Sequence, residues 1–236
     1  MQFQGRKLRN EMKYYLHAFE YTSLRYKIST LLTMDRNSVD GDGYGIRSLY
    51  FDGRHEHSLY DKNNGIFKRE KYRIRIYNGS DAKITVERKS KFGDYVCKEA
   101  AVISRQQYDA IIAGDYSALS DSVHPLLQDF YSALAYRAFR SVVIVDYIRE
   151  AYVYEPGNVR ITFDKRLAAG VNTIDLFEPD LVLEEALLAH QTIMEVKFDD
   201  FLPDPIRKLL QPEKHVRSAI SKYVICREIG LKHFKT

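Results

Sequence analysis

The sequence predicts an α+β fold built on an antiparallel sheet of about eight strands, with helices between and after them. Three observations carry this. Residues 67–91, FKREKYRIRIYNGSDAKITVERKSK, read as two strands joined by a turn at Asn78-Gly79-Ser80-Asp81. The same alternation of charged and apolar side chains recurs in several other short segments far apart in the chain. Segments with apolar residues at helical spacing lie among them. No internal repeat, low-complexity segment or Pro/Ser-rich linker divides the 236 residues, so one domain over 1–236 is expected.

Residues 1–10 read as a poorly ordered basic lead-in. In EMKYYLHA (11–18), Glu11, Lys13, Tyr15 and His17 alternate with Met12, Tyr14, Leu16 and Ala18, which is a strand. Phe19, Leu24, Ile28, Leu31 and Leu32 predict a helix over 19–34. A Gly- and Asp-rich turn region, Asn37 to Gly45, leads to a strand at 46–52 and a short helix or loop at 55–63. The hairpin comes next. Lys71, Arg73, Arg75 and Tyr77 alternate with Tyr72, Ile74 and Ile76, and Lys83, Thr85, Glu87, Lys89 and Lys91 alternate with Ile84, Val86 and Arg88. DYVCKEAAVI (94–103) is the third strand of this meander. Ser104 can N-cap a helix over 105–113, and Pro125 opens another that runs to 135. Residues 139–154 form a long β-branched and aromatic strand, Glu155-Pro156-Gly157-Asn158 turns the chain, and VRITFDKRL (159–167) pairs back. Residues 171–190 are ambiguous. TIMEVKF (192–198) is the last strand, Pro203 and Pro205 open a helical stretch, and 213–228 is a C-terminal helix carrying Ser218, Ser221 and Lys222.

Composition narrows the class. At 45% hydrophobic and 29% charged the chain is ordinary globular material. A net charge of +4 is too weak to argue for nucleic acid. Cys97 and Cys226 have no metal or CxxC spacing and read as reduced, half-buried thiols. There is no apolar leader and no run long enough to span a membrane, so a soluble cytoplasmic protein is expected. No P-loop and no GxSxG elbow is present. Asp35-x-Asn37-x-Val39-Asp40 fails the EF-hand pattern. His55-Glu56-His57, with no third ligand nearby, reads as surface histidines.

For any single strand a charged row facing water is the economical reading. The habit recurs, however. Glu11 and Lys13 share a face, as do Arg73 and Arg75, Glu87 and Lys89, Arg160 with Thr162 and Asp164, and Glu195 and Lys197. A barrel interior alternates in the same way. An interior lined by Lys and Arg makes physical sense only when it holds a polyanion, which offsets charges that would otherwise repel in a confined space. Its few carboxylates would then hold a divalent ion that bridges phosphate oxygens.

RNEMKY (9–14), SLYFD (48–52), KYRIRIY (71–77), VERKSK (86–91), YIREAY (147–152), VRITFD (159–164), MEVKF (194–198) and SKY (221–223) occur in this order. Together they resemble the VTC domain, the polyphosphate polymerase module of the triphosphate tunnel metalloenzyme superfamily, in its standalone bacterial form. The resemblance spans about residues 9–229 and implies that these form the core of the single domain. It implies a closed antiparallel β-barrel tunnel of about eight strands with helices packed on the outside. It also implies ATP-dependent polyphosphate synthesis with Mn²⁺ or Mg²⁺. By motif, Arg73 and Arg75 would bind nucleotide phosphates, and Lys13, Lys89, Arg149 and Arg160 would line the same path. Lys222 would reach the phosphates from the C-terminal helix, and Glu195 would hold the metal. Glu11 and Glu87 as metal ligands and Lys197 as a phosphate ligand rest on strand parity. Arg9-x-Glu11-x-Lys13 places Arg where the cyclase and triphosphatase branch has Glu, which resembles the VTC branch. No SPX domain or membrane segment accompanies the motifs.

A polymerase of this type needs alignment and charge neutralisation more than a side-chain nucleophile, because the acceptor phosphate is already anionic. A tunnel open at both ends would let product thread away while ATP enters. Three alternatives stand beside this. One is hydrolysis of triphosphate or a nucleoside triphosphate on the same fold. Another is binding of polyphosphate without turnover. The last is a nucleic-acid-binding β-protein, which the carboxylates on the same strand faces argue against. Oligomeric state is not legible.

Overall fold

The structure, a computed structural model, describes residues 2–3, 6–7, 9–38, 41–54, 68–92, 95–211 and 215–233. Val39 and Asp40 of the EF-hand comparison, the 55–63 segment with His55-Glu56-His57, and the first two residues of the expected 213–228 helix lie outside them.

The elements are β1 (Gln2–Phe3), β2 (Arg6–Lys7), β3 (Asn10–His17), α1 (Ala18–Ser29), β4 (Thr33–Met34), β5 (Tyr44–Asp52), β6 (Lys68–Tyr77), β7 (Ser80–Phe92), β8 (Tyr95–Ile103), α2 (Arg105–Ala113), α3 (Ser117–Ser120), α4 (Pro125–Ala135), β9 (Arg140–Tyr154), β10 (Val159–Gly170), β11 (Leu183–Glu185), β12 (Gln191–Phe198), α5 (Asp204–Leu210) and α6 (Lys222–His233). An antiparallel path of eight strands runs β3-β12-β10-β9-β5-β6-β7-β8, with β11 added to β10 and β4 to β9. The sheet curls as a half-barrel. Its first and last strands, β3 and β8, approach one another, but among the described residues the backbone pairing between them is one antiparallel bridge, from Arg9 just before β3 to Val96, rather than a ladder. The expected closure is therefore not made along this seam.

The hairpin turns more tightly than expected. Only Asn78 and Gly79 lie between paired strands, with φ of 51° and 67°. That positive-φ pair matches the right-handed twist of the strands it joins. Ser104 caps α2 as predicted: its hydroxyl accepts from the Gln107 N–H, and the Gln107 side chain accepts from the Ser104 N–H. The helix predicted over 19–34 stops at Ser29; the N–H groups of Leu31 and Leu32 both turn back to the Ile28 carbonyl, and Thr33-Met34 join β9 as a short strand. The lead-in forms a two-residue ladder, Gln2↔Lys7 and Phe3↔Arg6.

Period two divides the sheet into two faces. On the outer face, Tyr72, Ile74, Ile76, Ile84 and Val86 are buried under Tyr108, Leu126, Leu127 and Phe130 from the helices over 105–135. Arg88, also on that face, is held by Glu99 at 2.8 Å and Asp129 at 2.7 Å, which ties α4 to the hairpin. Leu24 and Ile28 of α1 cover Leu16, Tyr152, Ile161, Phe163, Met194 and Val196 in the same way. The C-terminal helix departs from the expectation twice. It begins at Lys222, so Ser218 and Ser221 precede it. It also packs on the inner face rather than outside: Tyr223, Val224 and Cys226 meet Tyr50, Val143, Val145 and Ile193, which share strand faces with the charged rows. α6 therefore occupies part of the concave face.

Candidate active site

The concave face encloses a cavity of about 810 Å³. Among the described residues thirteen Lys and Arg line it, but only two acids, Glu11 and Glu195. The net charge of the whole chain hides this segregation, which the fold produces by sending one side chain in two inward. Arg73, Arg75, Lys13, Lys89, Arg149, Arg160, Lys197 and Lys222, named from the sequence, all line the cavity. So do Lys71 and Lys91, whereas Lys83 is exposed elsewhere.

Buried acids set the positions of these cations. Glu87, 2% exposed, accepts from Arg73 Nε at 2.7 Å and from Lys98 Nζ at 2.5 Å, with Arg75 at 3.9 Å. Cross-strand pairing sets Arg73 directly opposite Glu87. Glu11 pairs with Lys89 at 3.0 Å, Lys13 at 3.1 Å and Lys197 at 3.7 Å. Glu195 pairs with Lys197 and lies 3.7 Å from Lys13 and 3.9 Å from Lys222. Asp164 takes Arg149 in a two-pronged contact at 2.6 and 2.8 Å and Lys222 at 2.5 Å. Arg160 is held at the rim by Asp35 at 2.6 Å and by the Tyr44 hydroxyl at 3.0 Å.

The balance shows in the proton affinities. Burial and the nearby Glu195 push the Glu11 carboxyl up, but Lys13, Lys89 and Lys197 outweigh them and leave it at about 2. Burial likewise opposes ionisation of Glu195 and Glu87, and the surrounding cations win, holding both below the usual carboxylate range. The lysines do not all gain. Burial drives Lys89 down to about 7 and Lys98 to about 8 despite their acidic partners. Lys71↔Lys89 and Lys89↔Lys98 are direct cross-strand neighbours of like charge.

One consequence is measurable on chelator-treated protein. The folded Lys89 and Lys98 release protons that the unfolded chain keeps up to the ordinary lysine value of 10.5. The unfolded state binds more protons in that window, so stability rises with pH. The melting temperature is expected to climb by a few degrees between about pH 6.5 and about pH 9, and saturating tripolyphosphate is expected to flatten the climb. A fall over that range would contradict the crowded-cation picture.

Glu87 does not line the cavity; its carboxylate is spent on Arg73, Arg75 and Lys98. Among the described residues no three His, Cys, Asp or Glu side chains cluster as a metal cage. Glu11 and Glu195 both face the cavity, close enough that Glu195 opposes the ionisation of Glu11. Two carboxylates suit a hard divalent cation completed by substrate phosphate oxygens and water, rather than an ion held by protein alone.

Tyr147 was not singled out from the sequence. Its hydroxyl accepts from Arg75 Nη2 at 3.2 Å, and Arg149 and Lys222 stand over its ring at 5.3 and 5.2 Å. Burial would raise this phenol, but Arg149 and Arg75 outweigh it and the group is lowered. Its signal was available, since Tyr147 is two residues from Arg149 on the same strand face. The segment 217–221 also borders the cavity. The Lys13 ammonium donates to the Ile220 carbonyl at 3.1 Å, and Lys71 donates to the Ser221 hydroxyl at 3.2 Å.

The sequence profile of the VTC domain matches residues 8–230. A search of curated proteins gave no match. Among solved structures, the chain is similar to a candidate adenylyl cyclase from Hippeastrum, described as having a dominant triphosphatase activity, at 14% identity and a TM-score of 0.55, covering 94% of this chain and 95% of that one. A candidate adenylate cyclase from Bacillus halodurans aligns at 13% identity and a TM-score of 0.49, covering 92% and 96%. The first of these shows a shared fold. No described helix is long and apolar enough to cross a membrane.

Proposed function

The chain belongs to the VTC domain family, and from that premise we propose that it is an ATP-dependent polyphosphate polymerase, with residues 9–229 forming one basic tunnel domain. It moves the γ-phosphate of ATP onto a growing inorganic polyphosphate chain. The observation that supports this most is the segregation of charge: among the described residues, thirteen Lys and Arg against two Glu line one cavity, and Lys71, Arg73, Arg149 and Arg160 are each oriented by an acid or a neighbouring hydroxyl. Such a cavity accommodates two polyanionic substrates at once.

In this reading Arg73 and Arg75 hold the nucleotide's phosphates through planar forks that match phosphate oxygens. Arg149, Arg160 and Lys222 hold the transferred phosphate and its acceptor in line. Lys13, Lys89 and Lys197 neutralise the chain beyond it. The acceptor oxygen is already anionic, so no side chain has to remove a proton. Glu195, with Glu11, would hold a divalent ion, Mn²⁺ or Mg²⁺, which when bound offsets charge developing on the phosphates. Arg9 sits at the cavity wall and pairs with Asp199 at 3.2 Å. By motif it stands where the cyclase and triphosphatase branch has a Glu, which supports the polymerase reading.

Hydrolysis is the second reading, favoured by the triphosphatase activity described for the Hippeastrum protein. Incubation with ATP and Mn²⁺ followed by a polyacrylamide gel separates the two. A ladder is expected, and orthophosphate alone would establish the hydrolase. Glu195→Gln is expected to shift the divalent-ion requirement upward by about tenfold or more. An unchanged metal titration would remove Glu195 from the metal site.

A further inference from the structure

We propose that Asp164 is a positioning residue that holds Arg149 of β9 and Lys222 of α6 together as a single phosphate cradle. This rests on the phosphate-transfer reading above. Asp164 is fully buried and does not border the cavity, whereas both of its cationic partners do. Strand pairing sets it opposite Arg149, and one carboxylate satisfies two guanidinium nitrogens at 2.6 and 2.8 Å. Lys222 reaches the same carboxylate at 2.5 Å from a helix more than fifty residues further along the chain. An arginine has five N–H donors and a lysine three. After Asp164 is satisfied, three and two remain for the cavity side. Tyr147 lies under both cations and completes their footing. One acid therefore fixes the spacing of donors that come from two unconnected elements.

A charge-balancing acid and a positioning acid predict opposite results. Asp164→Asn raises the charge around the cavity by one unit. If Asp164 served only to balance charge, anions would bind the variant more tightly. If it sets the cradle, they bind more weakly, because the donors lose their common geometry.

Cys226 supplies a second readout. It lies four residues past Lys222 on α6, is fully buried and donates its thiol to the Ala168 carbonyl at 3.5 Å. In a Cys97→Ser background its labelling rate reports undocking of α6. Calorimetric titration with tripolyphosphate, in chelator, is expected to show about tenfold or greater weakening in Asp164→Asn, with faster labelling of Cys226. Equal or tighter binding would overturn the proposal whatever the labelling shows. If Asp164→Asn does not fold, the comparison is Asp164→Asn/Lys222→Met against Lys222→Met, where a further loss of affinity is expected and no further loss would overturn it. A wild-type protein that does not bind tripolyphosphate would overturn the phosphate reading itself, and the cradle with it.

Discussion

Alanine at Arg73 or Arg75 is expected to lower ATP-dependent phosphoryl transfer by about 10²–10³-fold while leaving the protein folded. Both side chains point into the cavity from β6, and neither is held by chance. Arg73 donates to Glu87 and to the Tyr50 hydroxyl at 2.7 Å; Arg75, 4% exposed, donates to the Ser48 hydroxyl at 3.1 Å and to Tyr147. Donors fixed in this way need no reorganisation when charge develops on a transferring phosphate, so their loss acts on the transition state. The fold survives because the acid they share keeps partners. Without Arg73, Glu87 retains Lys98 at 2.5 Å and Arg75 at 3.9 Å. Each variant loses a buried pairing, so the melting temperature is expected to fall moderately without loss of the fold. Steady-state ATP consumption and thermal melts on the same preparations check both halves. Wild-type turnover in either variant would take β6 out of the site.

What was legible in the sequence followed period two. The inward rows of β6, β7, β10 and β12 could be read because a charged residue on every second position has one geometric meaning on a strand. Tyr147 obeyed the same parity as Arg149 and was passed over because an uncharged phenol carries no electrostatic signature. Helical spacing shows that a stretch is a helix but not which side of a curled sheet it covers, so α6 was expected outside. Its true place depends on Val143, Val145 and Ile193, apolar residues on an otherwise charged face, meeting Tyr223 and Cys226 from the chain's end. Leu31 and Leu32 extended the α1 pattern past its real stop, because their spacing fits both a further turn and the reversal that joins β4 to β9. Parity put Glu87 inside but could not say whether it met a metal or an arginine. Register adds that Glu87 stands directly opposite Arg73, which parity alone does not show.

Glu87 therefore carries the largest expected effect on stability. Glu87→Gln is expected to cost about 3–5 kcal/mol, because it leaves buried cations without their acid. For a chain of this size that is a fall of roughly 6–20 °C in melting temperature. Burial opposes the carboxylate's charge, and Arg73, Arg75 and Lys98 more than reverse that, keeping it well below its ordinary value of 4.5. A depressed folded-state value means that the stabilisation is present above that ordinary value and is lost as pH falls toward the folded one. Wild-type protein should thus lose stability steeply below about pH 4.5, and the variant, already deprived of the charge, should show a shallower decline. Tripolyphosphate is expected to return most of the loss at neutral pH, since it supplies negative charge to the same arginines. A metal-binding role predicts the reverse pattern: little change in chelator-treated protein and a weaker response to Mn²⁺. Melts of both proteins in chelator, with Mn²⁺ and with tripolyphosphate, separate a counter-ion from a ligand. A variant as stable as wild type in chelator would show that Arg73, Arg75 and Lys98 do not depend on Glu87.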